Sequence, residues 1–250
     1  MSIRFDNQVA IVTGAGGGLG KEHALGLARR GAKVVVNDLG GGVDGSGASD
    51  AAKKVVDQII SEGGEAIANG ASVTDLEAVQ AMVNEAKEKW GRVDILVNNA
   101  GILRDKSFHK DTIDSFNTVM DVHFQGTLNC THTVYPIMRE QEFGRIIFTS
   151  SSSGVFGNFG QANYGSAKMA MIGLMNTLKL EGQKYNVHTN SITPVAYTRM
   201  TEGLIPEDFG KNMQPEHVTP AVLYLASQDA PNGVVMAAGA GVFARIFIHE

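Results

Sequence analysis

The chain has 250 residues, 43% of them hydrophobic and 19% charged, with 21 Lys and Arg against 26 Asp and Glu for a formal charge of −5. That length carries a full hydrophobic core and excludes a small stapled scaffold. The acidic balance gives no general attraction to phosphate backbones or anionic membranes, so neither nucleic acid nor a membrane is expected as a partner.

The opening MSIRFDNQ lacks the apolar run of a signal peptide, no stretch approaches the ~20 apolar residues that span a bilayer, and no peroxisomal signal ends the chain, so a soluble, cytoplasmic protein is expected. Val9–Val12 (VAIV) reads as a first strand, Leu19–Arg30 as a helix and Lys33–Val36 as a second strand. Gly40–Gly47 (GGGVDGSG) is too rich in glycine for an element and reads either as a plain connector or as a flap beside a ligand. Helical spacing returns over Ala51–Glu62 and Leu76–Trp90, followed by a strand at Ile95–Val97 and a long helix over Ile113–Arg139. A lone cysteine, Cys130, falls in that helix; it cannot form an internal disulfide and reads as packing. No Cys/His cluster has metal-site spacing, so no metal is expected. A strand at Arg145–Phe148, a helix over Ala162–Lys184 and strands at Val187–Ile192 and Val234–Met236 complete the reading. The strands are apolar without alternation, as when both sheet faces are covered. The expected fold is α/β, a doubly wound parallel sheet in one Rossmann-type domain spanning residues 1–250.

Thr13–Gly20 (TGAGGGLG) joins the first strand to the first helix. Glycines such as Gly14, Gly18 and Gly20 keep side chains out of the turn, so a pyrophosphate can approach backbone N–H groups, with Leu19 opening the helix. The second strand ends in Asn37-Asp38, where a carboxylate can accept both adenosine ribose hydroxyls and repel a 2′-phosphate. No Lys or Arg stands at Ala15, Gly16 or Leu39 to receive that phosphate, so NAD is favoured over NADP as the cofactor. The other reading of Asp38 is a simple turn former.

Tyr164 and Lys168 lie four apart in a helical segment and share one face, where an ammonium favours phenolate. A free tyrosine titrates near ~10, so a base working near neutrality needs its pKa depressed by roughly 2 to 3 units, and Lys168 with an oxidised nicotinamide is expected to supply that. Ser151 closes the strand before them and is placed to orient a substrate oxygen. Taken singly, each has an ordinary reading, as an exposed helical pair or a turn serine.

Together with the glycine turn and NNAG at Asn98–Gly101, these residues resemble the short-chain dehydrogenase/reductase family over essentially the whole chain. The resemblance implies that Tyr164 is the acid/base, that Lys168 lowers its pKa and binds the nicotinamide ribose, and that Ser151 orients the substrate oxygen. It implies cofactor contacts from Asn99, Ala100 and Gly101, with Asn98 bracing the turn. It also implies cofactor contacts from Pro194 and the Thr198 that follows it, and an adenine contact at Ser72 and Val73, where Ser72 replaces the usual Asp. His123 stands where most members carry an asparagine that holds a relay water, and is taken as a catalytic candidate beside a packing role. Thr198–Gln214 would form a substrate-side lid. Arg104 and Lys106 read either as contacts to a coenzyme A phosphate or as solvated charges.

NDLGG at Asn37–Gly41, NNAGILRDKSF at Asn98–Phe108, VHFQG at Val122–Gly126 and GNFGQANY at Gly157–Tyr164 resemble one branch, the (3R)-hydroxyacyl-CoA dehydrogenase unit of peroxisomal multifunctional enzymes. That implies an acyl-CoA substrate, hydride transfer to NAD in fatty acid β-oxidation, and a homodimer or homotetramer. The alternatives are another short-chain dehydrogenase, such as a 3-oxoacyl carrier-protein reductase or a hydroxysteroid dehydrogenase, and a nucleotide-sensing or scaffold module.

Overall fold

The computed structural model describes residues 3–42, 50–198, 201 and 206–248. Strands β1 (Val9–Thr13), β2 (Lys33–Asn37), β3 (Glu65–Asn69), β4 (Ile95–Asn98), β5 (Gly144–Thr149), β6 (Val187–Val195), β7 (Val235–Gly239) and β8 (Val242–Ile246) form one sheet in the order β3-β2-β1-β4-β5-β6-β7-β8. All neighbours pair parallel except β7 and β8, which are antiparallel. The order reverses between β1 and β4, and the crevice beyond their carboxyl ends is where such sheets bind ligands.

Successive strand side chains point to opposite faces, so an uninterrupted apolar strand needs cover on both. On one face Val12, Val34 and Val97 pack with Leu25 and Leu27 of helix α1 (Gly18–Ala28), Val55 of α2 (Ala51–Ser61) and Val222 of α9 (Thr219–Ala226). On the other, Ile11, Leu96 and Phe148 pack with Met82 of α3 (Leu76–Trp90), Val134 of α5 (Gly126–Glu140) and Met171 and Met175 of α7 (Ala162–Gly182). Cys130 is buried in that second layer, where burial pushes its thiol up to about 12, so it is packing, as expected. Short helices α6 (Ser152–Phe156) and α8 (Glu207–Gly210) complete the set described here.

The expected doubly wound α/β sheet is present, with four differences. β3 is one: EAIAN carries only one buried side chain and alternates too weakly to read as a strand. β8 is another, exposed along most of its length at the sheet edge. α9 (TPAVLYLA) is apolar nearly all round and gave no amphipathic signal. The single helix expected over Ile113–Arg139 is α4 (Ile113–Met120), a π-helical turn (Asp121–Gln125) and α5. Of the Gly40–Gly47 segment, residues 43–47 lie outside the described residues, as do residues 199, 200 and 202–205 of the expected lid.

Among the described residues no helix is long and apolar enough to cross a membrane. Arg145, fully buried at the start of β5, ties the far end of the sheet together. Its guanidinium donates to the carbonyls of Ser227 at 2.8 Å, Asn186 at 2.8 Å and Gln228 at 3.0 Å, and stacks 4.3 Å from the Phe143 ring centroid.

Candidate active site

The turn after β1 begins at Gly14, whose φ of +63° disfavours any side chain; a Cβ there would come within 2.8 Å of Ala100 Cα. The turn is stapled to the end of β4. Asn99 Nδ2 donates to the carbonyls of Thr13 and Gly14, both at 3.0 Å, while Thr13 Oγ1 accepts the N–H groups of Asn99 and Ala100, both at 3.0 Å. The bracing expected of Asn98 therefore falls to Asn99. Strand alternation turns Asn98 the other way, where its Nδ2 donates to Thr131 Oγ1 of α5 at 3.1 Å.

Helix α1 starts at Gly17 with no side chain capping its first N–H groups, so its positive end faces the cleft. The cleft, open to solvent on one side, takes in Gly14, Gly18 and Leu19 of the turn, Asp38 and Leu39 after β2, and Ser72 and Val73 after β3. It continues past Asn99, Ala100, Gly101 and Ile102 to Val122 and Thr198. Gly20 does not line it; a Cβ there would collide with the Gly14 carbonyl, so its glycine serves close packing of helix on turn. Asp38 accepts the N–H of Gly16 through Oδ2 at 2.8 Å and of Gly40 through Oδ1 at 2.7 Å, so it shapes the turn and also presents its carboxylate to the cleft. Ser72 is drawn into a local bond with Thr74 Oγ1 at 2.8 Å. Pro194, the next-to-last residue of β6, pairs with Ala238 and does not line the cleft, whereas Thr198 does. Uncapped N–H groups, a side-chain-free turn and a carboxylate at the β2 edge together fit a dinucleotide.

Ser151, Tyr164 and Lys168 do not line this cleft but stand beyond its Ile102 end, joined to it through His123, which bonds Ile102 and packs on Tyr164. Ser151 caps α6, accepting Ser153 N–H at 3.2 Å, and its hydroxyl lies near enough to the Tyr164 phenol to pull its pKa down. Lys168 is fully buried one turn along α7 from Tyr164; its Nζ donates to Thr149 O at 2.6 Å and lies 5.3 Å from the Tyr164 ring centroid. Burial pushes that amine down to about 7. The protein's own groups raise the phenol: burial acts most, the Ser151 hydroxyl pulls down, and the charge of Asp105 pushes up. Lys168, whose Nζ is turned to Thr149 O, is not among the groups that shift the phenol.

His123 sits on the π turn, buried, with its ring edge-on to Tyr164 at 5.1 Å between centroids. Nε2 lies 2.7 Å from Ile102 O and 3.1 Å from Ile102 N; the shorter contact puts the proton on Nε2 and leaves Nδ1 a buried acceptor without a partner. Desolvation and the neighbouring Lys168 hold the imidazole well below its ordinary pKa, so it is neutral. Gly101 is required beneath it, since a Cβ there would collide with the ring. No residue pattern announces a π turn, which is why the sequence alone left the geometry of His123 open. Arg145, Gln161 and Asn163 also escaped notice; buried polar side chains in apolar or Gly-rich stretches were their only signal.

The short chain dehydrogenase family model matches residues 8–208. The chain is 50% identical to peroxisomal multifunctional enzyme A of Dictyostelium discoideum over all of its own length and 56% of that relative's, so it spans about half of that protein. The crystal structure of a short chain dehydrogenase from Mycobacterium avium superposes with a TM-score of 0.88 at 39% identity, covering 98% of this chain and 87% of the other. A 7α-hydroxysteroid dehydrogenase complexed with NADH and 7-oxo glycochenodeoxycholic acid gives 0.85 at 31% identity, with 95% of both chains covered.

Proposed function

The chain belongs to the short chain dehydrogenase family, and on that premise we propose that it oxidises the C3 hydroxyl of (3R)-hydroxyacyl-CoA with NAD, a step of fatty acid β-oxidation. The observation that carries the substrate class is the 50% identity, over the whole chain, to a peroxisomal multifunctional enzyme. Family membership makes the cofactor a nicotinamide dinucleotide, held by the uncapped end of α1, the Asn99–Gly101 segment and Asp38. When bound, it accepts the hydride and brings a positive charge near the phenol. Tyr164 Oη, as the phenolate that the bound cofactor's charge would favour, takes the proton of the reacting hydroxyl and becomes a neutral phenol, with Ser151 Oγ placed to hold the oxygen in reach. Lys168, with its pKa near 7, stands behind them able to take up or give a proton without leaving Thr149 O. His123 is assigned a positioning role: its neutral ring packs on Tyr164 and its Nδ1 offers an acceptor on the same buried side.

NAD is preferred over NADP because a 2′-phosphate would face the Asp38 carboxylate with no Lys or Arg at positions 15, 16 or 39. NAD should bind at least tenfold more tightly, about 1.4 kcal/mol; equal affinities by calorimetric titration would contradict this. The substrate assignment is tested by steady-state assay with NAD on a panel of 3-hydroxyacyl-CoA thioesters, a 3-hydroxyacyl carrier-protein thioester and a steroid alcohol. Turnover concentrated on the CoA thioesters supports it, and turnover only of the steroid or carrier-protein substrate overturns it. A sensing or scaffold role is disfavoured by the intact Ser151, Tyr164 and Lys168 set, since binding alone has no use for a phenol set beside a buried lysine. A homodimer or homotetramer belongs to the same proposal, as does a cytoplasmic location. The relative's name says peroxisomal, and cell fractionation separates those two compartments.

A further inference from the structure

The segment from Arg104 to Lys110 leaves the end of β4 and is clamped along the start of the catalytic helix. Lys106 N donates to Gly160 O at 2.9 Å and pairs as a parallel bridge with Gln161. Gln161 Nε2 donates to Asp105 Oδ2 at 2.7 Å, and Asn163 Nδ2 donates to Arg104 O at 3.0 Å and to Asp111 Oδ2 at 2.9 Å. Gln161 and Asn163 are both buried and directly precede Tyr164, so this clamp fixes the segment beside the reacting groups. Asp105, held by Gln161, lies close enough to Tyr164 for its charge to push the phenol up.

The clamp also sorts the charges. Asp105 of the segment and Asp111 just beyond it are engaged by amide side chains, whereas Arg104, Lys106 and Lys110 form no ion pair among the described residues. Three cations thus gather on one short segment of a chain whose net charge is −5. Between them stands Phe108, 75% exposed, and Phe159, 92% exposed, lies one residue before the Gly160 that Lys106 bonds. Buried packing explains neither ring. Cations next to exposed aromatic faces suit a ligand with phosphates and a purine base.

We propose that Arg104–Lys110 is a rim for the phosphorylated adenosine end of a coenzyme A thioester, with Lys106 and Lys110 meeting the phosphates and Phe108 stacking on the base. The proposal rests on the acyl-CoA reading above and extends it to the carrier. It explains how a site whose chemistry touches only C3 and its oxygen selects the coenzyme at the far end of the thioester.

The test separates the rim from the reaction. Adenosine 3′,5′-bisphosphate is titrated by calorimetry into the NAD-saturated protein and into Lys106→Glu/Lys110→Glu and Phe108→Ala, all surface substitutions. The rim predicts binding to the parent chain, weakened at least tenfold in both variants and weakened by added salt, with NAD affinity unchanged. No binding to the parent, or equal binding in the variants, overturns the proposal. Turnover of the same 3-hydroxyacyl group on pantetheine, which lacks the adenosine end, is measured alongside. The rim predicts that both variants turn it over like the parent while KM for the CoA thioester rises about tenfold at unchanged kcat. Loss on both thioesters alike would make the segment a general support and overturn the rim. Nucleotide binding without turnover of either thioester would overturn the reaction and leave the rim standing.

Discussion

Lys168 sits where an ammonium is costly: 2% exposed, donating to Thr149 O, and with its pKa moved from 10.5 to about 7 by burial. A folded pKa lowered below the unfolded value means that the stability this group allows is fully present only above pH 10.5 and is lost as pH falls toward 7. Lys168→Met should therefore stabilise the fold at pH 7 by on the order of 1–3 kcal/mol, after the lost bond to Thr149 O is counted, while turnover disappears. Thermal unfolding across pH 7 to 10 checks this; a gain that does not shrink with rising pH, or a less stable variant, would contradict it. Tyr164→Phe should abolish turnover and leave NAD affinity within about twofold, because the phenol transfers a proton and lies away from the adenosine half of the cleft. Near-normal activity would remove Tyr164 from the chemistry. These residues were legible in the sequence because a four-residue spacing on a helix needs only the helix to be right. Asn98 and Asn99 were not: adjacent side chains at a strand end point oppositely, and only the position where β4 stops decides which one reaches the glycine turn.

At the scale of elements, the strands and helices that flank the cleft were readable from apolar runs and helical periodicity. The edges were not. β3 and β8 lie at the two ends of the sheet, where half or more of each strand meets solvent and the apolar signal fades. The π turn of residues 121–125 adds a residue to one turn of a long helix and so swings His123 inward against Tyr164 without any compositional mark. Arg145 shows the same limit at the far end of β5. The sequence placed it in the strand with no role of its own, yet it is buried with its guanidinium divided among carbonyls of β6's approach and the segment after α9. Arg145→Met should cost about 2–4 kcal/mol by leaving those carbonyls without donors, measured as a fall in the urea midpoint at unchanged slope. A loss under about 0.5 kcal/mol would show that water replaces the guanidinium there.

At the scale of the whole molecule, β8 is the last strand of the sheet order and carries Val242 at 69% and Phe243 at 44% exposure. An apolar edge of that kind is a template for pairing, and a second copy running antiparallel would satisfy both edges at once. Sedimentation should show a dimer or tetramer at micromolar concentration, and a monomer would contradict this. The catalytic end imposes a different asymmetry. On the proposed reaction Ser151 and Tyr164 would hold the reacting oxygen from one side and the dinucleotide would lie in the cleft running from the β2 edge to Ile102 and Val122, so hydrogen would leave C3 toward one direction only. The thioester arm and the alkyl tail must then take separate exits, and the rim at Arg104–Lys110 assigns the arm to one of them. The most direct measurement uses both pure epimers of a medium-chain 3-hydroxyacyl-CoA with NAD, followed by absorbance of the reduced nicotinamide. The (3R) epimer should be oxidised with a kcat/KM at least a hundredfold above the (3S), about 2.7 kcal/mol in the transition state; preference for (3S), or activity on neither, would contradict the assignment.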